Sequence, residues 1–276
     1  NKTLDKPLFL VFAADSRQKA PLIQPRNIII TEENAEIQVV EMFVSIGDQP
    51  SLTNMVTEIS AGPNTRLDYT KLQMEKDNNY HVSTTQFVQY KASSVTTHVL
   101  SLNGGFIRNN LNFLLQDKNC DTLLNGLYTP AGQQFMDNHT VVDHAVPECI
   151  SNQLYKGILN DASTAVFNGK VLVRKDAQKT NAYQRNMNVL LSGEATINTK
   201  PQLEIFADDV RCTHGATSGQ MDEEAVFYLR SRGIGEENAK ALLMNAFANE
   251  IIEPLKIEGL KEPLKKLILR KLKAKF

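Results

Sequence analysis

The amino-acid sequence predicts a mainly β protein: a right-handed parallel β-helix followed by a small C-terminal α-helical region. Three observations lead there. From Pro7 to about Val210 the periodic segments are short alternating apolar and polar runs bounded by polar turns. Several run starts recur at intervals of roughly 30 residues, with tighter spacing of about 22 in the middle, the scale of a repeat architecture. Almost nothing in that stretch has the length and period of an amphipathic helix. Parallel strands ordinarily need helical crossovers, and a sheet coiled on itself avoids them. A β-sandwich is the competing arrangement, although its strands come at closer spacing and with shorter loops.

Taken in order, "KPLFLVFAADS" is apolar but short and reads as a strand rather than a secretory signal. The sequence starts at Asn1, straight into that strand, and is expected to lack an N-terminal region. "NIIITEENAEIQVVEMFVS" reads as strand, turn, strand. Alternation returns in "TRLDYTKLQME", "SSVTTHVLSLN", "TAVFNGKVLV" and "ATINTKPQLEIFADD". The turn signals before these runs include Glu33-Asn34-Ala35, Pro63-Asn64-Thr65, Ser163-Thr164-Ala165 and Gly193-Glu194-Ala195.

The character changes near Gly219, which divides a β-helix core (1–218) from a helical region (219–276). Asp222 is placed to cap a first helix that Gly233 ends. Gly235, Glu236 and Glu237 open a second, with Ala239, Leu242, Leu243, Ala246, Phe247 and Ile251 at helical spacing, and Pro254 interrupts or ends it. "GLKEPLKKLILRKLKAKF" is a further short, basic amphipathic helix. Such an appendage could cap the open end of the coil, dock into a partner's groove or, less readily, lie on a membrane surface.

Composition narrows the function. The formal net charge is −1, and there is no tryptophan, so neither nucleic-acid binding nor a stacking platform for bases or sugars is indicated. No apolar run is long enough to span a bilayer. The three cysteines, Cys120, Cys149 and Cys212, are few and far apart, which fits a reducing cytoplasm better than a disulfide framework. Cys120 and Cys149 read as small buried thiols.

The stretch "ADDVRCTHGATSG" carries the chemistry. If the strand in "LEIFADDVRC" continues, Cys212 and His214 project from one face, since residues two apart on a strand do so. A thiol and an imidazole could bind zinc, iron or an iron–sulfur intermediate, or act as nucleophile and base. Neither a second cysteine pair nor an H-x-x-x-H completes a metal site. His139 and His144 read as surface turn histidines. Asp208 and Asp209 are adjacent, so they point to opposite faces and read as turn or edge residues. No strand carries acids at i and i+2 with a helpful base, which disfavours the alternative of a β-helix carbohydrate-active enzyme. "GIG" at Gly233–Gly235 lacks the setting of a dinucleotide loop, and no phosphate loop is present.

At these residues the sequence resembles the SufB/SufD family of iron–sulfur cluster assembly proteins. "TKPQLEIFADDVRCTHGATSGQMDEEAVFYLRSRGI" carries the likeness most specifically. "VFNGKVLVRKDAQKTNAYQRNMNVLLS", "HAVPECISNQLYKGIL" and "PRNIIITEENAEIQVVEMFVS" extend it over nearly the whole chain. "HGATSG", where SufB-like chains have "HEATTS", places it on the SufD side. The resemblance implies a non-catalytic scaffold subunit that pairs with SufB and binds the ATPase SufC. It implies a transient iron–sulfur cluster shared with SufB and passed to apo-proteins, with reduced flavin in some such complexes. It also implies His214, then Cys212, as cluster or iron ligands near the SufB interface. The helices from Asp222 to about Glu253 would carry the SufC contact, with Asp222, Glu223, Glu224, Phe227, Tyr228, Arg230 and Phe247 as candidates. A homodimer through the end of the coil is expected when SufB is absent.

Overall fold

A computed structural model describes residues 2–271, and the last part of the predicted basic tail, 272–276, lies outside them. Among the described residues sixteen strands precede three helices. The first sheet takes β1 (Leu8–Asp15), β4 (Glu36–Ile46), β6 (Arg66–Met74), β8 (Ser94–Asn103), β10 (Asp121–Tyr128), β12 (Ile150–Leu159), β14 (Asn181–Leu190) and β16 (Arg211–Gln220). The second takes the short pieces β2 (Leu22–Ile23) and β3 (Arg26–Thr31), both on β5 (Leu52–Ala61). It continues with β7 (Tyr80–Gln89), β9 (Phe106–Leu115), β11 (Phe135–His144), β13 (Thr164–Val173) and β15 (Thr196–Ile205). Every pairing is parallel, and the chain passes from one sheet to the other at each turn, giving a parallel β-solenoid of about seven turns.

Successive strands of a sheet pair nearly one coil apart in sequence. Glu36 pairs with Arg66, Ser94 with Asp121 and Tyr80 with Phe106, separations of 30, 27 and 26 residues. The tighter middle spacing of about 22 is therefore corrected: coils shorten there, but only to 26 or 27.

The corner that returns the chain to the first sheet is built the same way in coil after coil. Asn34, Asn64, Ala92, Asn119, Glu148 and Lys179 occupy it with φ between 54° and 64°. Five of these six amides reach forward to the next coil; Asn64 N donates to Lys91 O, Ala92 N to Lys118 O and Glu148 N to Gln178 O, all at 2.9 Å. Asparagine tolerates this left-handed backbone; alanine, glutamate and lysine adopt it at a cost of about 1 kcal/mol each. The inter-coil ladder holds them there.

Alternate residues of each strand face the interior between the sheets. Part of it is apolar: Tyr69 packs edge-on to Phe87 with centroids 5.5 Å apart, and Phe87 stacks on Phe113 at 4.4 Å. Part is polar and paired. Buried Glu41 accepts from Tyr69 and from Thr57 (2.8 Å), and buried Lys71 donates to Thr85 (2.9 Å) and Ser83 (3.2 Å). Gln73, Ser101, Asn109 and Asn138 continue the seam. Each of these side chains is held by at least one hydrogen bond from elsewhere in the coil, which is what makes its burial tolerable.

Helices α1 (Glu223–Ser231), α2 (Glu236–Ile252) and α3 (Glu258–Lys271) follow. The α2 and α3 helices lie along the outer face of the first sheet. Met244, Ala248, Ile251, Ile252, Leu264 and Ile268 share one buried cluster with Val40, Leu72, Leu100, Leu127 and Ile158. The helical region therefore does not cap the open end of the coil. Under α2, Lys156 is buried against the Phe247 ring (4.2 Å), pairs with Glu250 and donates to Phe247 O (3.1 Å).

Two buried histidines make stability pH-dependent. Burial, and secondarily Lys256, holds His98 down at about 4, and burial holds His144 at about 4. The unfolded chain binds these protons from about pH 6.5 downward and the folded chain does not. The contribution is thus complete above pH 6.5 and is lost as pH falls toward 4. By pH 5 the loss amounts to roughly 2 kcal/mol per histidine. Urea unfolding should show the midpoint falling between pH 7.5 and 5, with His98→Gln removing about half of the fall. A flat midpoint over that range would contradict it.

Candidate functional site

The strand of "LEIFADDVRC" does not continue. β15 ends at Ile205, residues 206–210 form a corner, and β16 begins at Arg211. Asp208 and Asp209 are exposed corner residues, as expected, and the Asp209 main-chain carbonyl accepts from Lys179 N (2.6 Å). Cys212 and His214 nevertheless share a face, because both lie on β16. In the register of β14 and β16, Ala182 pairs with Cys212 and Gln184 with His214. Ala182 and Gln184 are buried, so the alternation places Cys212 and His214 on the interior side of the last coil.

Among the described residues no further coil covers that side. β16 ends its sheet and β15 ends the other, and from Thr213 to Gln220 the strand is exposed. Cys212 is half-buried among Val171, Val173, Ala177, Ala182 and Ala207, and this burial raises its thiol pKa. Behind His214, Gln184 is 1% exposed and its Nε2 donates to Gln153 Oε1 at 2.8 Å. Gln153 Nε2 donates in turn to Thr140 Oγ1 at 2.6 Å. A buried polar file therefore runs inward from the open end.

The other candidate ligands lie elsewhere. His139 and His144 are strand rather than turn residues, five apart and so on opposite faces of β11. His139 faces outward and pairs with Asp137 (2.9 Å), which also holds Arg108 (2.8 Å). His144 is buried and its Nε2 lies 2.9 Å from Ser151 Oγ. Cys120 and Cys149 are buried at successive corners, both within reach of Asp117 O. Among the described residues no group of three or more histidine, cysteine or acidic side chains converges as for a metal ion. Cys212 and His214 offer one sulfur and one nitrogen donor, two of the positions a metal or cluster needs. They fit such a cargo only as part of a ligand set.

The helix candidates divide. Asp222 caps α1, accepting from Glu224 N (3.0 Å) and Ala225 N (3.1 Å), with Glu223 and Glu224 exposed in the first turn. Gly233 (φ 87°) follows the helix end and Gly235 is the N-cap of α2, as predicted. Val226 is the buried residue of α1, whereas Phe227 and Tyr228 are 72% and 55% exposed. Arg230 pairs with Glu236 (3.3 Å). Phe247 packs against the sheet over Lys156. The buried file at Gln153 and Gln184 was not singled out from the sequence. Its signal is the alternation of Ala182, Gln184, Asn186 and Asn188 on the inner side of "NAYQRNMNVL".

These features define a class: a parallel solenoid with a helical region laid on one sheet and a cysteine–histidine pair at its uncovered end. The sequence pattern of the family described as SUF system FeS cluster assembly, SufBD core domain, matches residues 12–247, and the chain belongs to that family. It is 36% identical over 97% of its length to the iron–sulfur cluster assembly SufBD family protein slr0076 of Synechocystis. It is 36% identical over 93% to the iron–sulfur cluster assembly protein SufD of Escherichia coli, and 37% over 86% to protein ABCI7, chloroplastic, of Arabidopsis thaliana. The chain spans 61% of the length of the first two and 50% of the third. Among the described residues no helix is long and apolar enough to cross a membrane.

With one buried residue of its own, α1 depends on its cap. Replacing Asp222 by alanine should cost α1 about 1 kcal/mol. Hydrogen exchange should show its amides opening about fivefold more often, with the solenoid amides unchanged. Unaltered α1 protection would contradict the capping role.

Proposed function

We propose that the chain is a non-catalytic scaffold subunit of cytoplasmic iron–sulfur cluster assembly, of the SufD kind. It pairs with SufB and binds the ATPase SufC, and the cluster is its cargo, assembled where the two coiled chains meet and passed on to apo-proteins. The observation that carries this reading is the position of Cys212 and His214: one face, one strand, the last coil, no cover of their own. A thiolate and a neutral imidazole suit iron in a cluster, and a cluster needs more ligands than these two. The backbone beside them is open as well. β15 and β16 each present ten residues of outer strand edge, which a second solenoid can extend. SufB seated there would bring the remaining ligands. Without it, a second copy of this chain would take the same edge as a homodimer.

Residues 219–276 are, in this reading, the ATPase-binding part. Phe227 and Tyr228 would be its apolar contacts, Asp222, Glu223, Glu224 and Arg230 its polar rim, and Phe247 the anchor that ties α2 to the sheet behind. Closure of SufC on ATP would pull on α1 and α2. Because α2 rests on β10 and β12, that pull reaches the coils next to the site and would open or close it.

The test is His214→Ala in this chain co-expressed with SufB and SufC. The purified complex should keep its composition while its iron and sulfide content drops by about tenfold or more. Unchanged cluster content in an intact complex would sink the ligand assignment.

A further inference from the structure

We infer that Gln184 is a positioning residue for His214: its side-chain carbonyl accepts the Nδ1–H of the imidazole and leaves Nε2 bare toward the open end. The inference rests on the reading of His214 as a ligand only for its consequence, not for its geometry.

The buried file behind His214 has a direction. Gln153 turns its amide N–H back to Thr140 and its carbonyl forward to Gln184; Gln184 turns its N–H back to Gln153. The next carbonyl in the series, Gln184 Oε1, is buried and has no hydrogen-bond partner. A buried acceptor left without a donor is costly, by about 1–3 kcal/mol. The residue that follows Gln184 in register, one coil nearer the open end, is His214. Strand spacing of about 4.8 Å puts side chains that share a face within hydrogen-bonding reach once the outer one turns toward the inner. His214 is exposed on the sheet edge and can make that turn.

The seat of Gln184 is also shaped for it. Gly169 on β13 lies across the interior. A Cβ there would come within 2.5 Å of Gln184 Nε2 and 2.7 Å of the Phe167 ring. The inner face of β13 thus lacks a side chain at the point where the amide sits, and any Cβ there would displace it.

Nδ1 is the ring nitrogen nearer the backbone, so with that edge turned to the in-register neighbour Nε2 lies on the far side. A histidine that donates from Nδ1 to a carbonyl presents an unprotonated Nε2, the form a metal takes. Unconstrained neutral imidazoles favour the opposite tautomer, with the proton on Nε2. The arrangement therefore has a signature of its own.

The experiment uses the full 276-residue chain, labelled with 15N-histidine and without iron or partners, at a pH where its imidazoles are neutral. Two-bond proton–nitrogen correlation spectra, with the His214 signal identified by its loss in His214→Ala, report the tautomer. The expected result is a predominant Nδ1–H form in the natural chain and a return to Nε2–H in Gln184→Leu. Gly169→Ala, which displaces the amide without removing it, should shift the balance the same way. Predominant Nε2–H in the natural chain overturns the inference even if no variant folds, as does an Nδ1–H form that Gln184→Leu leaves unchanged. The two readings fail separately. A correct tautomer with normal cluster content in the His214→Ala complex defeats the ligand role alone. A wrong tautomer with cluster loss in that complex defeats the positioning role alone.

Discussion

The parallel register between successive coils governs this molecule. Each coil must deliver its chain back to the first sheet in step with the coil before, and the left-handed corner residues from Asn34 to Lys179 do this repeatedly. The amides at five of those six corners are bonded to carbonyls one coil further on, so a corner is stable because its neighbour exists. That interdependence is the solenoid's form of cooperativity. It explains why Ala92, Glu148 and Lys179 sit in a backbone conformation that their side chains disfavour. It also fixes every inward-facing column, including the one that ends in Gln153, Gln184 and His214.

Register makes the interior a set of columns, and a column can be polar if every member finds a partner in the next coil. Glu41, Lys71, Gln73 and Asn109 are buried on that condition. The condition fails where the coils stop. At β15 and β16 the columns lose their next neighbour, and the strand edges lose theirs. An unfinished polar column and an unfinished sheet at the same place make the end of the solenoid the natural position for a shared site. The helices lie against the opposite requirement. The outer face of the first sheet is apolar at Val40, Leu72, Leu100 and Ile158, and α2 and α3 cover it, leaving α1 standing off with its aromatics exposed.

Several strands with clear alternation were legible in sequence. "TAVFNGKVLV" coincides with β13, and the runs at β4, β6, β8 and β15 were found with small errors at their ends. Some of the strands not read have polar inner residues. "HVSTTQFVQ" buries His81, Ser83 and Thr85, which breaks the hydrophobic alternation, and "FIRNNLNFLL" interrupts its apolar inner row with Asn109. Asn34 and Asn64 announced their corners, whereas Glu148 and Lys179 could not, since nothing local favours them. Cys212 and His214 were legible as a pair, though the strand that carries them starts after a corner that the sequence reading ran through. That α2 and α3 lie along a sheet rather than across the coil's end was not legible. An amphipathic stripe shows that a face is buried and says nothing of the surface that buries it.

The central claim is that this chain holds half of a site. Anaerobic reconstitution with iron and sulfide tests it most directly, comparing the chain alone with the chain mixed with SufB and SufC and following the visible absorbance of the cluster. The account predicts no stable cluster on the chain alone and a cluster that survives desalting when the partners are present. An equally stable cluster on the chain by itself would contradict it.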